Sequence, residues 1–291
     1  MKKHILIYLL TLSCYTATAQ EMAGEQSVKN RRFFVGASWS FMSVDMKLSS
    51  LSLHSVWYGS DLGTRDFAQD EIDTINGYVD RHSNVNALTL EAGMNFINNS
   101  DSKWKFSGTL MLGMAQNLTT VKNNETGVQE YSFNSGFSKP CLGLGIHFGY
   151  QFNKHWGLSL RPYAVGTMGT ITNIENQVNP DPVNFTSVKK DKFSTLYFRS
   201  SLMAGYTAGP VTIMAGPGFY YLWSKHKYSR EYTNINDGRT IAEEATYVLV
   251  PRSFIDGNLA VSWKIIPQLT LQAHAGIGKD ITADGGIQFN F

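Results

Sequence analysis

The stretch CLGLGIHFGYQFNKHWGLSLRPY, residues Cys141 to Tyr163, decides the reading of the chain. Leu142, Leu144, Ile146, Phe148, Tyr150 and Phe152 occupy every second position, and Gly143, Gly145, His147, Gly149 and Gln151 stand between them. Asn153-Lys154-His155 breaks the pattern, which restarts with Trp156, Leu158 and Leu160 against Ser159 and Arg161. Period-two alternation makes a strand with one apolar and one polar face, and the break is a tight turn between two such strands. The expectation is that the apolar face meets lipid. The chain repeats the hairpin until the sheet closes, giving an all-β, antiparallel transmembrane β-barrel.

Outward from this hairpin the pattern recurs in both directions. Phe33, Val35, Ala37, Trp39 and Phe41 form one row, and Leu88, Leu90, Ala92, Met94 and Phe96 a second. Trp104, Phe106, Leu110, Leu112 and Met114 form a third. Further rows run through Leu196 to Tyr206, Val211 to Trp223, Ile255 to Trp263, Leu269 to Ile277 and Ile287 to Phe291. The sequence predicts ten strands. Long external loops are expected near 47–84, 120–138, 173–192 and 225–246, with short turns between the other strand ends.

No charge falls on an apolar row. Lys105, Glu91, His147, Arg161, Arg199, Asp256, His274 and Asp284 all have the opposite parity. Parity alone does not separate lipid from a soluble core, so the position of the rings decides. Phe33, Phe96, Trp104, Phe152, Trp156, Tyr206, Trp263 and Phe291 sit on the apolar face beside the short turns. Rings with one wet and one dry end collect at the level of lipid headgroups.

The N-terminus sets the compartment. Met1-Lys2-Lys3-His4 precedes the apolar run Ile5 to Leu12, and Ala17-Thr18-Ala19 supplies small residues for a signal peptidase. Residues 1–19 read as a secretory signal peptide cleaved after Ala19, with a core too short to span a bilayer. Cys14 is no good lipid-attachment site, because Leu12 stands at the wrong position before it. A polar lead-in covers 20–32, and the barrel occupies 33–291. Loss of Lys2 and Lys3 brings 25 basic residues to 23, against 23 acidic ones. A neutral chain excludes the basic stripe that nucleic acid requires. Of the two cysteines only Cys141 survives cleavage, so no intramolecular disulfide forms. The expected location is the bacterial outer membrane.

The C-terminus carries a resemblance. Phe291 is terminal, with Phe289 and Ile287 before it at alternate positions. This resembles the signal read by the barrel-assembly machinery of bacterial outer-membrane proteins. The resemblance implies outer-membrane lipid and that machinery as partners. It extends over the mature chain as a pattern shared with porin-like, adhesin-like and OmpA-like barrels. Ten strands is also the count of the omptin surface proteases.

The lumen is the first place to look for chemistry. Glu91, His147, Arg161, Arg199, Asp256 and His274 project inward from six strands. A narrow barrel is filled largely by side chains, and buried charges must pair. The simplest arrangement is a salt-bridged plug of Glu91 and Asp256 against Arg161 and Arg199. A small selective pore and a catalytic use of the same groups are the alternatives. At the rim, His54, His82 and His226, with Asp80 two residues before His82, would serve an omptin-like protease or a lipid-modifying enzyme. His82-Ser83 and His54-Ser55 are sequence neighbours, so each pair points to opposite strand faces. No spacing supports a metal site, and no cofactor is expected. Trp57 and Tyr58 in the longest loop suit binding of an extracellular ligand, because aromatics give contact area at low entropy cost. The expected function is structural, surface-binding or small-pore, with a rim-active hydrolase as the alternative.

Overall fold

The structure is a computed structural model that describes residues 32–58, 60–97, 102–171, 175–176 and 185–291. The leader 1–19 with Cys14, the lead-in 20–32 except Arg32, and much of 173–192 lie outside the described residues. In chain order the elements are β1 (Phe33–Trp57), β2 (Ser60–Asp66), α1 (Gln69–Tyr78), β3 (Val79–Ile97), β4 (Trp104–Asn123) and β5 (Gln129–Asn134). Then come β6 (Lys139–Gln151), β7 (Trp156–Leu160), β8 (Tyr163–Ile171), β9 (Glu175–Asn176) and β10 (Phe185–Ala208). The chain ends with β11 (Val211–Asn234), β12 (Thr240–Pro251), β13 (Ile255–Ile266), β14 (Leu269–Gly278) and β15 (Ile281–Asn290).

Antiparallel pairing runs β1-β3-β4-β6-β8-β10-β11-β13-β14-β15 and closes where β15 pairs β1 from Phe34–Asn290 to Ser43–Ile281. The ring therefore has ten staves, as the alternation predicts. Phe33 and Phe291 lock the seam with two backbone hydrogen bonds, Phe33 N–H to Phe291 O at 3.3 Å and Phe291 N–H to Phe33 O at 3.0 Å. β7 and β8 are one stave interrupted at Pro162, whose nitrogen has no hydrogen to give the ladder. Arg161 N–H to Ser201 O at 3.1 Å and Ile146 N–H to Pro162 O at 2.9 Å carry the pairing across the break.

The outer wall is apolar around the ring. Leu90, Leu112 and Leu144 are 54%, 55% and 64% exposed, an arrangement that water would penalise and acyl chains favour. All eight rings expected beside the short turns lie outward and are 43–58% exposed. They extend into contacts such as Trp104 with Tyr150 at 4.6 Å and Phe106 with Phe148 at 4.7 Å. A second aromatic belt lies toward the other end. There Phe219 meets Phe198 at 6.0 Å and Phe254 at 6.2 Å, and Trp39 meets Phe41 at 6.2 Å. Two belts bound one apolar band.

Beyond the second belt polarity changes sides. On β1 the inward positions become Met42, Val44, Met46 and Leu48, all buried, while Ser43, Asp45 and Lys47 face out. On β11 Tyr220 and Leu222 point in and are fully buried, and Lys225 and Lys227 follow Trp223 on the outer face. This half is built like a water-soluble barrel, with an apolar cluster packed beside a buried polar network that includes Ser83, Asn117 and His226. Each apolar side chain of the cluster contributes about 2 kcal/mol on burial.

The stretches 47–84, 120–138, 173–192 and 225–246, expected as loops, are accordingly strand and helix over much of their described length. β14 and β15 end below this level, and β12 takes their place, pairing β11 on one side and β1 from Met46 to Trp57 on the other. α1 begins with Glu71 accepting from Ala68 N–H at 3.0 Å and buries Ile72 in an apolar cluster that Leu51, Phe67 and Ile75 border. Asn76 clips the helix to β1, accepting from Leu48 N–H at 2.8 Å and donating to Leu48 O at 2.9 Å.

Candidate functional site

The lumen is layered. Its turn half is a cavity of about 700 Å³, reaching the turn end at Asn95, Ser102 and Gln151. Glu91, Lys105, His147, Arg161, Gln272 and His274 line it. Glu91 accepts from Ser38 Oγ at 2.5 Å, and His147 Nε2 meets Ser159 Oγ at 3.0 Å. Arg161 donates to Ser159 Oγ at 3.2 Å and to Gln272 Oε1 at 3.1 Å. The expected pairing of Glu91 with Arg161 is not formed. Their strands stand three staves apart across the cavity, and each charge is satisfied by neutral groups beside it.

Arg199 closes this cavity from β10. It is fully buried, and its guanidinium donates Nη1 to Asp284 Oδ2 at 2.5 Å and Nη2 to Asn258 Oδ1 at 2.6 Å. Asp256 Oδ2 lies 3.5 Å from Nη2 and accepts from Thr282 Oγ1 at 3.0 Å. His274 Nε2 meets Asn258 Oδ1 at 2.7 Å and its Nδ1 lies 3.3 Å from Asp284. Tyr163 donates to Asp284 at 2.8 Å and touches the Tyr197 hydroxyl at 3.0 Å. Arg199, Asp256 and His274 are thus brought together, and Asp284, Asn258, Tyr163 and Tyr197 join them. Parity puts Asp284 inward, but nothing in the sequence singles it out as the nearest carboxylate.

Two glycines make room for this centre. A Cβ at Gly276 would stand 1.9 Å from Asp256 Oδ2 and 2.5 Å from Arg199 Nη2. One at Gly218 would stand 1.9 Å from Asn258 Nδ2. Above the centre the apolar layer of Met42, Val44, Met46, Tyr220, Leu222 and Leu249 fills the bore, and Ile72 of α1 packs on it.

The rim residues divide between the two faces of the wall. His226 points inward and is sealed, with Nδ1 2.9 Å from Asp191 Oδ2 and Nε2 2.8 Å from Ser224 Oγ. Its ring stacks on Tyr247 at 4.8 Å. His82 points outward, with Nδ1 3.0 Å from Asp45 Oδ1 and Nε2 2.8 Å from Ser43 Oγ. Both are serine–histidine–aspartate chains with the acid on Nδ1 and the hydroxyl on Nε2, the order of a hydrolytic triad. Ser83 faces inward to Asn117 and Thr119, so the sequence neighbours do separate and the serine comes from across the sheet. Asp80 pairs with Arg252 at 3.1 Å, and His54 Nε2 lies 3.8 Å from Asp61. At the tip of β1, Trp57 and Tyr58 are 46% and 49% exposed, with the Arg239 guanidinium 5.6 Å from the Tyr58 ring. Among the described residues no group of three or more histidine, cysteine or acidic side chains could hold a metal ion.

No protein-family model matches the chain, and no curated protein matches it. Among solved structures it is similar to the translocator domain of autotransporter NalP from Neisseria meningitidis, with a TM-score of 0.41 and 8% identity over 100% of this chain and 98% of that one. It is also similar to the outer membrane protease OmpT from Escherichia coli, at 0.34 and 9% identity over 91% and 100% of the two chains. The outer membrane protein OprG from Pseudomonas aeruginosa gives 0.33 and 10% over 79% and 95%. At these scores the likeness adds nothing to the closed barrel already described.

Proposed function

We propose that this chain is a non-conducting outer-membrane barrel whose working surface is its loop end. In this reading the short turns face the periplasm, the 700 Å³ cavity is a blind pocket on that side, and the β extension stands on the cell surface. One observation carries it: above the Arg199 centre the bore is filled by a dry layer in which Met42, Val44, Met46, Tyr220 and Leu222 are all 0% exposed. An ion crossing there would have to shed its water to pass packed side chains that leave no open path, which is costly.

Export by residues 1–19 and assembly through Phe291, Phe289 and Ile287 belong to the same reading. So does an extracellular ligand held at the tip, where Trp57, Tyr58 and Ile235 are exposed on hairpins joined by Tyr58 N–H to Thr240 O at 3.0 Å. The test is a planar lipid bilayer holding the refolded, heat-modifiable protein. Silence is expected, and reproducible current steps would overturn the closed lumen.

A further inference from the structure

We propose that Ser43, His82 and Asp45 form a hydrolytic triad on the outer wall of the barrel, acting on acyl esters of amphiphiles at the edge of the apolar band. Ser43 and Asp45 are two residues apart on β1 and so share its outer face, and His82 on β3 stands opposite Asp45 in register. The hydroxyl, imidazole and carboxylate are joined at 2.8 Å and 3.0 Å. With Nδ1–H given to Asp45, Nε2 is left as the base facing Ser43 Oγ.

Placement separates this chain from its inward counterpart. Ser224, His226 and Asp191 are at most 2% exposed, and no substrate reaches them. The His82 and Asp45 side chains are 41% and 45% exposed, and a hydrogen-bonded pair so wet stabilises a fold little. Its backbone is nevertheless held firmly from inside. Asp45 N–H donates to Asp280 Oδ1 at 2.9 Å, and Asp45 O accepts from Arg252 N–H at 2.8 Å. Asp280 is in turn fixed by the Tyr220 hydroxyl at 2.6 Å. Rigid support of this kind preorganises a site.

The neighbours define the substrate. On the outer face Ile281 stands level with Ser43 and Phe41, Trp39 and Leu88 lie below, with Asn86 beside Phe41, so an apolar wall along which acyl chains extend begins just under the site. Lys47 follows Asp45 on the polar side. Ser43 therefore sits where the ester of a membrane amphiphile lies, between tail and headgroup. Asn84 is its register partner on β3, so an amide donor flanks the position where a carbonyl oxygen would gain charge.

The reaction balances without a cofactor. Ser43 Oγ attacks the ester carbonyl while His82 Nε2 takes its proton. The ester C–O bond breaks, the alcohol leaves with that proton, and the acyl group stays on Ser43. Water then attacks with His82 as base, and Ser43 recovers its proton as the fatty acid departs.

The test uses the full chain refolded in detergent micelles. A fluorophosphonate probe and p-nitrophenyl butyrate and palmitate report the nucleophile and the turnover, and heat-modifiable migration reports folding. One adduct per chain, mapped to Ser43 by mass, is expected together with ester hydrolysis. Ser43→Ala and His82→Gln lower turnover on the order of 10⁴-fold. Asn84→Ala lowers it about 100-fold, and Ser224→Ala leaves it unchanged. A folded wild-type protein that neither labels nor hydrolyses either ester overturns the proposal, as does activity that survives in Ser43→Ala.

Discussion

Arg199 holds two carboxylates, Asp256 in a place water does not reach and Asp284 at the edge of the cavity. Removing the guanidinium leaves Asp256 buried and Asp284 half-shielded without their cation, and loss of a buried partner costs about 3–5 kcal/mol. Arg199→Ala is therefore expected to lower the unfolding free energy in detergent by that amount, read as a shift in the urea midpoint. It should not open a pore, because the apolar layer above is untouched. Gly276 makes a second residue-scale case. Gly276→Ala drives a methyl into Asp256 and Arg199 and should destabilise by about 1–3 kcal/mol, as overpacking does. Gly285→Ala is the control, since the nearest atom to its Cβ would be Gln272 O at 3.8 Å, and it should be near neutral.

At the scale of elements, α1 is a lid tied by Asn76. Its side chain makes both hydrogen bonds to the Leu48 backbone, and Arg252 donates to its carbonyl at 3.3 Å. Asn76→Ala leaves the Leu48 amide and carbonyl unmet, costing roughly 1–3 kcal/mol locally. Amide exchange over residues 69–78 should accelerate by one to two orders of magnitude while the ring β1-β3-β4 stays protected; equal protection in the variant would mean that Ile72 alone holds the helix.

The same elements explain what could be read from the sequence. Ten staves, their outward rows and the turn-end ring follow from parity, because lipid selects one face of every strand. The extension beyond the band escaped that reading for a physical reason. Past Phe41 the alternation persists but in opposite phase, with Met42, Val44, Met46 and Leu48 now inward. A strand judged by one apolar row ends there, although only its surroundings change from lipid to water. Inward Glu91, Arg161, Arg199, Asp256 and His274 were legible, as was Asp256 as a partner of Arg199, but Asp284, Asn258 and the neutral partners of Glu91 and Arg161 were not. Partners depend on stagger across the lumen, and the meeting of Ser43 with His82, 39 residues apart, depends on the register of β1 with β3.

For the whole molecule, the decisive physical claim is that the band is solvated by acyl chains. Leu144 lies mid-band, flanked in register by Leu110 and Ala164, and points outward. Thr109 is next to Leu110 on β4 but lines the cavity with Glu91. If lipid covers the wall, Leu144→Arg places a guanidinium in hydrocarbon and costs about 2–4 kcal/mol. Thr109→Arg places the same group in a wet chamber beside Glu91 and should cost less than about 1 kcal/mol. Folding of each variant into phosphatidylcholine vesicles, followed by tryptophan fluorescence across a denaturant series, measures both. Were the barrel an ordinary water-soluble one, the penalty at Leu144 would vanish, because an exposed leucine accepts a charge freely. The predicted inequality comes from the solvent on each side of one wall, and the strand pairing is the same in both variants.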